Sequence, residues 1–231
     1  MVPLVSAAAL VFGVLAVVAL VVASGDLGGS GLPPVAAVDA PPPAADLRDG
    51  RSLGVTEAPV TVELFSDPQC PACAIFASRI EPLLVAGPVR DGTVRLTYRD
   101  LAFLGPESLD AAVAMRVADD LDGRFWDYHD LVYANQHGEG RGAFSRDRLA
   151  DMAEAAGLER AAFLAALDDP KYLEAVRAES AEAGALGVNS TPTLIVNGEV
   201  IAGVPAWEDL RARIDAAAAT AASSVAVPGV G

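Results

Sequence analysis

The reading of this chain turns on Val60-Thr61-Val62-Glu63-Leu64-Phe65-Ser66-Asp67-Pro68-Gln69-Cys70-Pro71-Ala72-Cys73. Val60 to Phe65 is β-branched and apolar over the length of a strand, and Ser66-Asp67-Pro68 stops it. A helix is expected to start around Cys70, because proline is favoured at the first helical position, where its missing N–H costs nothing. Ile75, Phe76, Ile80, Leu83 and Leu84 then recur at helical spacing, and Pro82 predicts a kink or an early stop. Asp91-Gly92 makes a turn, and Thr93 to Tyr98 returns as a second strand. Parallel pairing with the first strand requires the intervening helix as a crossover.

Further along, 107 to about 187 reads as nearly continuous helix. Leu109, Val113, Val117 and Leu121 share one face, Phe125 to Asn135 forms a second segment, and Ser145 is placed to cap a third that carries Leu149 and Met152. Phe163, Leu164 and Leu167 mark a fourth helix, and Tyr172 to Leu186 a fifth. Strand character resumes at Thr193-Leu194-Ile195-Val196, and Asn197-Gly198 is a strong hairpin signal before Val200-Ile201-Ala202. A last helix is expected over about Pro205 to Ala218. The order describes an α/β domain interrupted by an all-helical subdomain.

The chemistry sits on the only two cysteines, Cys70 and Cys73. Two cysteines exclude a multi-disulfide scaffold, a four-cysteine zinc site and an iron–sulfur cluster within one chain. Two thiols at i and i+3 can close a disulfide across a first helical turn. When that ring opens, the sulfur at the helix N-terminus faces unsatisfied N–H groups and the positive end of the dipole. Such positions bring a cysteine pKa from ~8.5 to about 3.5–7.5. Cys70 is therefore expected to be the nucleophile, and Cys73, one turn in, the more buried resolving partner. Stabilising the thiolate favours the reduced form, by roughly 30 mV per pKa unit for a two-electron couple, which makes the disulfide an oxidant. Two blander readings compete: half a zinc site completed by His129 and His137, which stand eight apart, and an inert structural disulfide, whose short loop would remove little chain entropy.

With those residues in view, the chain resembles the DsbA-like branch of the thioredoxin superfamily. The resemblance rests on the quoted segment, on Gly123-Arg124-Phe125-Trp126-Asp127-Tyr128-His129-Asp130, and on Gly187-Val188-Asn189-Ser190-Thr191-Pro192-Thr193-Leu194-Ile195-Val196-Asn197-Gly198, in that order between about Leu53 and Ile214. It implies a thioredoxin fold with a helical insertion and catalysis of thiol–disulfide exchange by Cys70 and Cys73, with Pro71 and Ala72 between them and no cofactor. It further implies that Pro192 is cis and packs opposite the cysteines, and that Thr191 contacts the thiols and offers its backbone to an extended substrate. Glu63 resembles the family's buried strand acid and is a candidate for proton transfer, but it stands one residue further from the cysteines than the usual pattern, which puts it on the opposite sheet face. His129, Trp126 and Tyr128 resemble a packing motif.

Outside this domain the composition shifts. Val2 to Ala23 contains no charged residue, and at ~1.5 Å per residue it covers roughly the 30 Å hydrocarbon core. We expect a membrane anchor or signal anchor over 1–23, a Gly/Pro-rich tether over 24–52, the catalytic domain over 53–215 and a flexible tail over 216–231. The whole chain carries 31 acidic against 16 basic residues, a formal charge of −15, which disfavours a nucleic-acid partner. With 52% hydrophobic residues it is not disordered as a whole.

The expected activity is transfer of the Cys70–Cys73 disulfide to exported proteins outside the cytoplasm of a bacterium. The resemblance implies reoxidation by a quinone-linked membrane partner of the DsbB or vitamin-K-epoxide-reductase type. A reductase or isomerase on the same fold, and a binding module with a structural disulfide, are the alternatives. The short tether leaves no room for the dimerisation domain of related isomerases, so a monomer is expected.

Overall fold

A computed structural model describes residues 32–38 and 42–225. The expected anchor over 1–23, part of the tether and the last six residues of the expected tail lie outside the described residues. Two short strands open the domain, β1 (Arg48–Asp49) and β2 (Ser52–Leu53), followed by β3 (Val60–Ser66), α1 (Pro71–Arg79), α2 (Glu81–Leu84) with a wide helical turn at Val85–Val89, and β4 (Val94–Asp100). The helical block is α3 (Pro106–Asp122), α4 (Phe125–Ala134), α5 (Arg146–Ala155), α6 (Arg160–Ala166) and α7 (Pro170–Ala185). The hairpin β5 (Thr193–Val196) and β6 (Glu199–Ala202) and the helix α8 (Trp207–Val225) close the chain.

The six strands lie in the order β1-β2-β4-β3-β5-β6. β3 and β4 are parallel, with Val60 opposite Val94 and Ser66 opposite Asp100, so α1 is the crossover. β5 runs antiparallel to β3 and places Thr193 opposite Phe65, which brings the chain just before β5 to the end of β3 where the cysteines begin. This is the thioredoxin fold with the five-helix insertion between β4 and β5, as expected.

Alternation sorts the central strands. Val62, Leu64, Leu96 and Tyr98 are buried together on one face, where Tyr98 packs edge-on against Phe125 at 5.2 Å between ring centroids. On the other face Phe65 joins Leu101, Ala183, Val188 and Ile195 in a cluster under α7. An ionic cluster ties that helix to the sheet: Arg116 Nε meets Asp100 at 2.6 Å and its Nη2 meets Glu179 at 2.8 Å, while Arg51 meets Glu179 at 2.7 Å. Burial alone would push Glu179 up, but its hydrogen bond to Arg51 and the nearby guanidiniums hold it at about 2.

Two boundaries and one cap differ from the sequence reading. The tether expected to 52 ends earlier, because Leu47, Ser52 and Leu53 are buried and Arg48 pairs with Asp127 at 2.6 Å. Ala36 also docks on the domain, both of its backbone groups bonding the Asn135 side chain at 2.7 and 3.0 Å. The last helix, expected over about Pro205 to Ala218, runs on through Val225, since the alanines at the start of the tail have the highest helix propensity. Ser145 stands at the start of α5 without a side-chain cap bond, whereas Glu159 and Asp169 do accept from the N–H groups that open α6 and α7. Pro82 acts as expected, with the helix interrupted at Ile80 between α1 and α2. Among the described residues, only Pro71–Val89 is long and apolar enough to cross a membrane by composition. It carries the buried Cys73, Phe76, Leu84 and Val89 and is the active-site helix of the domain.

Candidate active site

Cys70 occupies the N-cap of α1 in an extended conformation (φ −71°, ψ 118°), with Pro71 as the first helical residue. Its carbonyl accepts the first helical bond from Ala74 N–H at 3.2 Å, and its own N–H closes a turn onto Asp67 at 3.0 Å. The two cysteines are not joined in a disulfide, and Cys70 Sγ lies 3.3 Å from the Thr191 carbonyl oxygen. The Thr191–Pro192 peptide is cis. The strand order thus brings together Cys70, Pro71, Ala72 and Cys73 with Thr191 and Pro192, some 120 residues away in sequence.

The two sulfurs have opposite electrostatics. The Cys73 S–H donates to Cys70 and is the largest influence on it; a Thr191 hydrogen bond and the Cys73 and Ala72 N–H groups add to it against partial burial, and the Cys70 thiol falls from 9.0 to about 6. Cys73 is pushed far above its ordinary value, first by burial and then by sharing its proton with Cys70, with Ser66 and the Asp67 N–H opposing. Near neutral pH the pair holds one proton, and it resides on Cys73.

A shell of polar side chains fixes the loop that presents these thiols. Asp67 is fully buried, and its two oxygens accept from Gln69 N–H at 2.7 Å, Ser108 Oγ–H at 2.7 Å, Phe103 N–H at 2.8 Å and Leu104 N–H at 3.0 Å. Its charge is spent on these donors. Gln69 donates to Ser108 Oγ at 2.9 Å and accepts from Gly140 N–H at 2.7 Å. Gln136 donates to the carbonyls of Pro68 at 2.6 Å and Cys70 at 3.1 Å. Sequence reasoning passed over Gln69, Ser108 and Gln136 and read Asp67 only as part of the strand-ending Ser66-Asp67-Pro68, because nothing local marks their long-range bonds.

Glu63 does not join the site. It lies on the face of β3 turned toward α7, where it pairs with Arg99, and Arg99 in turn meets Glu179 at 2.6 Å and Glu182 at 2.8 Å. Alternation along the strand puts Ser66, not Glu63, beside Cys73. Ser66 Oγ and Tyr133 Oη are 2.7 Å apart, and Tyr133 Oη and Tyr98 Oη 3.0 Å, forming a buried row of hydroxyls.

The half-zinc reading fails on the same geometry. His129 is buried with Nδ1 2.9 Å from Asp130 and Nε2 3.6 Å from Glu81, while His137 is exposed on the following loop. Glu81, His129 and Asp130 are the group among the described residues with metal-ligand spacing, and it includes neither cysteine. Burial raises the Glu81 carboxyl to about 7, and although burial disfavours charge on His129, the Glu81 and Asp130 carboxylates outweigh it and raise His129. His129 and Trp126 also pack in the aromatic layer, with ring centroids 5.1 Å apart.

A sulfur at a helix N-terminus, poised as thiolate beside a buried, protonated partner, can swap bonds with a cysteine of another polypeptide. On this fold that defines a thiol:disulfide oxidoreductase of the DsbA-like class. The family model described as Thioredoxin matches residues 47–216, and the chain belongs to that family. It is 28% identical over 166 residues to disulfide bond formation protein D of Bacillus subtilis, covering 71% of this chain and 74% of that protein. The crystal structure of oxidised BdbD from Bacillus subtilis superposes with a TM-score of 0.69 at 25% identity, over 80% of this chain and 100% of the other. The thiol-disulfide exchange protein α-DsbA2 from Wolbachia pipientis is similar at a TM-score of 0.63 and 25% identity, over 71% and 85% of the two chains.

Proposed function

We propose that the chain is an oxidase that donates its Cys70–Cys73 disulfide to cysteine-containing proteins exported from the cytoplasm. A substrate thiolate attacks Cys70 Sγ, the Cys70–Cys73 bond breaks, and Cys73 leaves as the second sulfur. A further substrate thiolate then attacks the substrate sulfur of the mixed disulfide and expels Cys70 as a thiolate. The substrate is oxidised by two electrons and the enzyme reduced by two. The observation that carries this direction is the opposite displacement of the two thiols. A Cys70 held at about 6 is a good leaving group at neutral pH and makes the reduced enzyme the favoured state.

The apolar run Val2–Ala23 supports a membrane-tethered protein with its catalytic domain outside the cytoplasm. Such a location calls for a membrane redox partner to take the two electrons, and the resemblance favours a quinone-linked protein of the DsbB or vitamin-K-epoxide-reductase type. Cys73→Ser tests the reading: in cells it should accumulate mixed disulfides between Cys70 and exported proteins. A folded Cys73→Ser protein that captures none would overturn it.

A further inference from the structure

When a thiolate opens the Cys70–Cys73 bond, the electron pair leaves on Cys73, a sulfur only 1% exposed. Burial makes that anion costly, so it must gain a proton where bulk water does not reach. Glu63 lies on the other face of the sheet. Asp67 acts on Cys73 through its backbone N–H, and its side-chain oxygens are turned to Gln69, Phe103, Leu104 and Ser108 instead. Besides Cys70, the side chain that offers Cys73 a hydrogen bond is Ser66, at the end of the strand that leads into the cysteine loop.

Ser66 Oγ sits 2.7 Å from Tyr133 Oη, and Tyr133 borders a cavity of about 650 Å³ between α1, α2 and α4. The charged groups that line this cavity are Arg79, Glu81, Arg90 and Asp130. Tyr98, the other neighbour of Tyr133 Oη, is fully buried and ends the row on its inner side. In each hydroxyl pair either oxygen can be the donor, which is the property a proton relay needs.

We propose that Ser66 is a catalytic residue, and Tyr133 a positioning residue acting through it, that together pass a proton from cavity water to the leaving sulfur of Cys73. The proposal rests on the oxidase reading above. The Ser66 hydroxyl proton goes to Cys73 Sγ, the Tyr133 proton replaces it on Ser66, and water in the cavity restores Tyr133. Two substrate thiols lose two protons in the full reaction; one ends on Cys73 and the other in solvent, while Cys70 stays a thiolate.

The test is the rate at which reduced glutathione opens the disulfide of the oxidised full-length chain, measured in light and heavy water for wild type, Ser66→Ala and Tyr133→Phe. Each substitution removes a single oxygen. We expect both variants to open at least about ten-fold more slowly and to lose most of the solvent isotope effect. The titration midpoint of Cys70 in the reduced protein should stay where it is. Wild-type rates and isotope effects in both variants would overturn the relay, as would a slowing matched by a displaced Cys70 midpoint, the mark of a disturbed helix terminus. A wild-type chain that exchanges no disulfide would instead overturn the functional reading itself, a failure visible without any variant.

Discussion

The low pKa of Cys70 is traced first to the Cys73 S–H, so replacing Cys73 by alanine and by serine should give different enzymes. A hydrogen bond to a charged group is worth about 1.5–3 kcal/mol, which is about one to two pKa units. Cys73→Ala should move the Cys70 midpoint from about 6 to about 7–8, whereas Cys73→Ser keeps an O–H donor and should stay near 6. At pH 7 the thiolate fraction in the alanine variant then drops from about nine-tenths to between about a half and a tenth. The higher-pKa thiolate is the better nucleophile, by about three- to eight-fold for a Brønsted slope of about 0.4–0.5. The two effects nearly cancel, so a single alkylation rate at neutral pH would hide the change. The assay is therefore thiolate ultraviolet absorbance across pH, with the alkylation pH profile as a check. Alanine and serine variants titrating together near 6 would refute the assignment and leave the helix terminus and Thr191 as the cause.

The folded pKa of Cys70 lies below its ordinary value, so its stabilisation of the reduced protein is full above about pH 9 and fades as pH falls through about 6. Denaturant unfolding at pH 5 and pH 8 should show the reduced form gaining about 2 kcal/mol over the oxidised form, after allowance for solvent screening. A gap that shrinks as pH rises would contradict this. Asp67→Ala strands three backbone N–H groups and the Ser108 hydroxyl, and should cost more than about 3 kcal/mol of stability in the same measurement. A loss under about 1 kcal/mol would show that water replaces the carboxylate. Glu63→Gln should change stability by less than about 1 kcal/mol and leave the Cys70 midpoint and exchange rate intact. A large fall in exchange would restore Glu63 to the mechanism.

What the sequence made legible is what short-range physics controls. The β-branched run Val60 to Phe65 is a strand, Pro71 begins the helix one residue after Cys70, and Asn197-Gly198 forms a tight hairpin turn with φ of +45° and +91°. β1 and β2 escaped because two-residue strands carry no alternation and sit beside a Pro-rich segment. Their place is set instead by distant contacts, including Gly54, where a Cβ would stand 2.4 Å from the Val94 carbonyl. The thiols and the Thr191-Pro192 turn were visible as motifs. The groups that hold them were not: Gln136 bonds the Cys70 carbonyl across 66 residues, and Tyr133 reaches Ser66 across 67. Glu63 shows the useful side of alternation, since the one-residue offset that separates it from the usual strand acid also turns it to Arg99.

The most direct measurement is the reduction potential of the Cys70–Cys73 couple, obtained by equilibrating the protein with glutathione buffers. A thiolate held at about 6 beside a protonated, buried partner predicts a value less negative than about −200 mV, on the oxidising side of the thioredoxin value of about −270 mV. A value at or below about −270 mV would contradict the account, because the arrangement at the start of α1 would then not favour the reduced state.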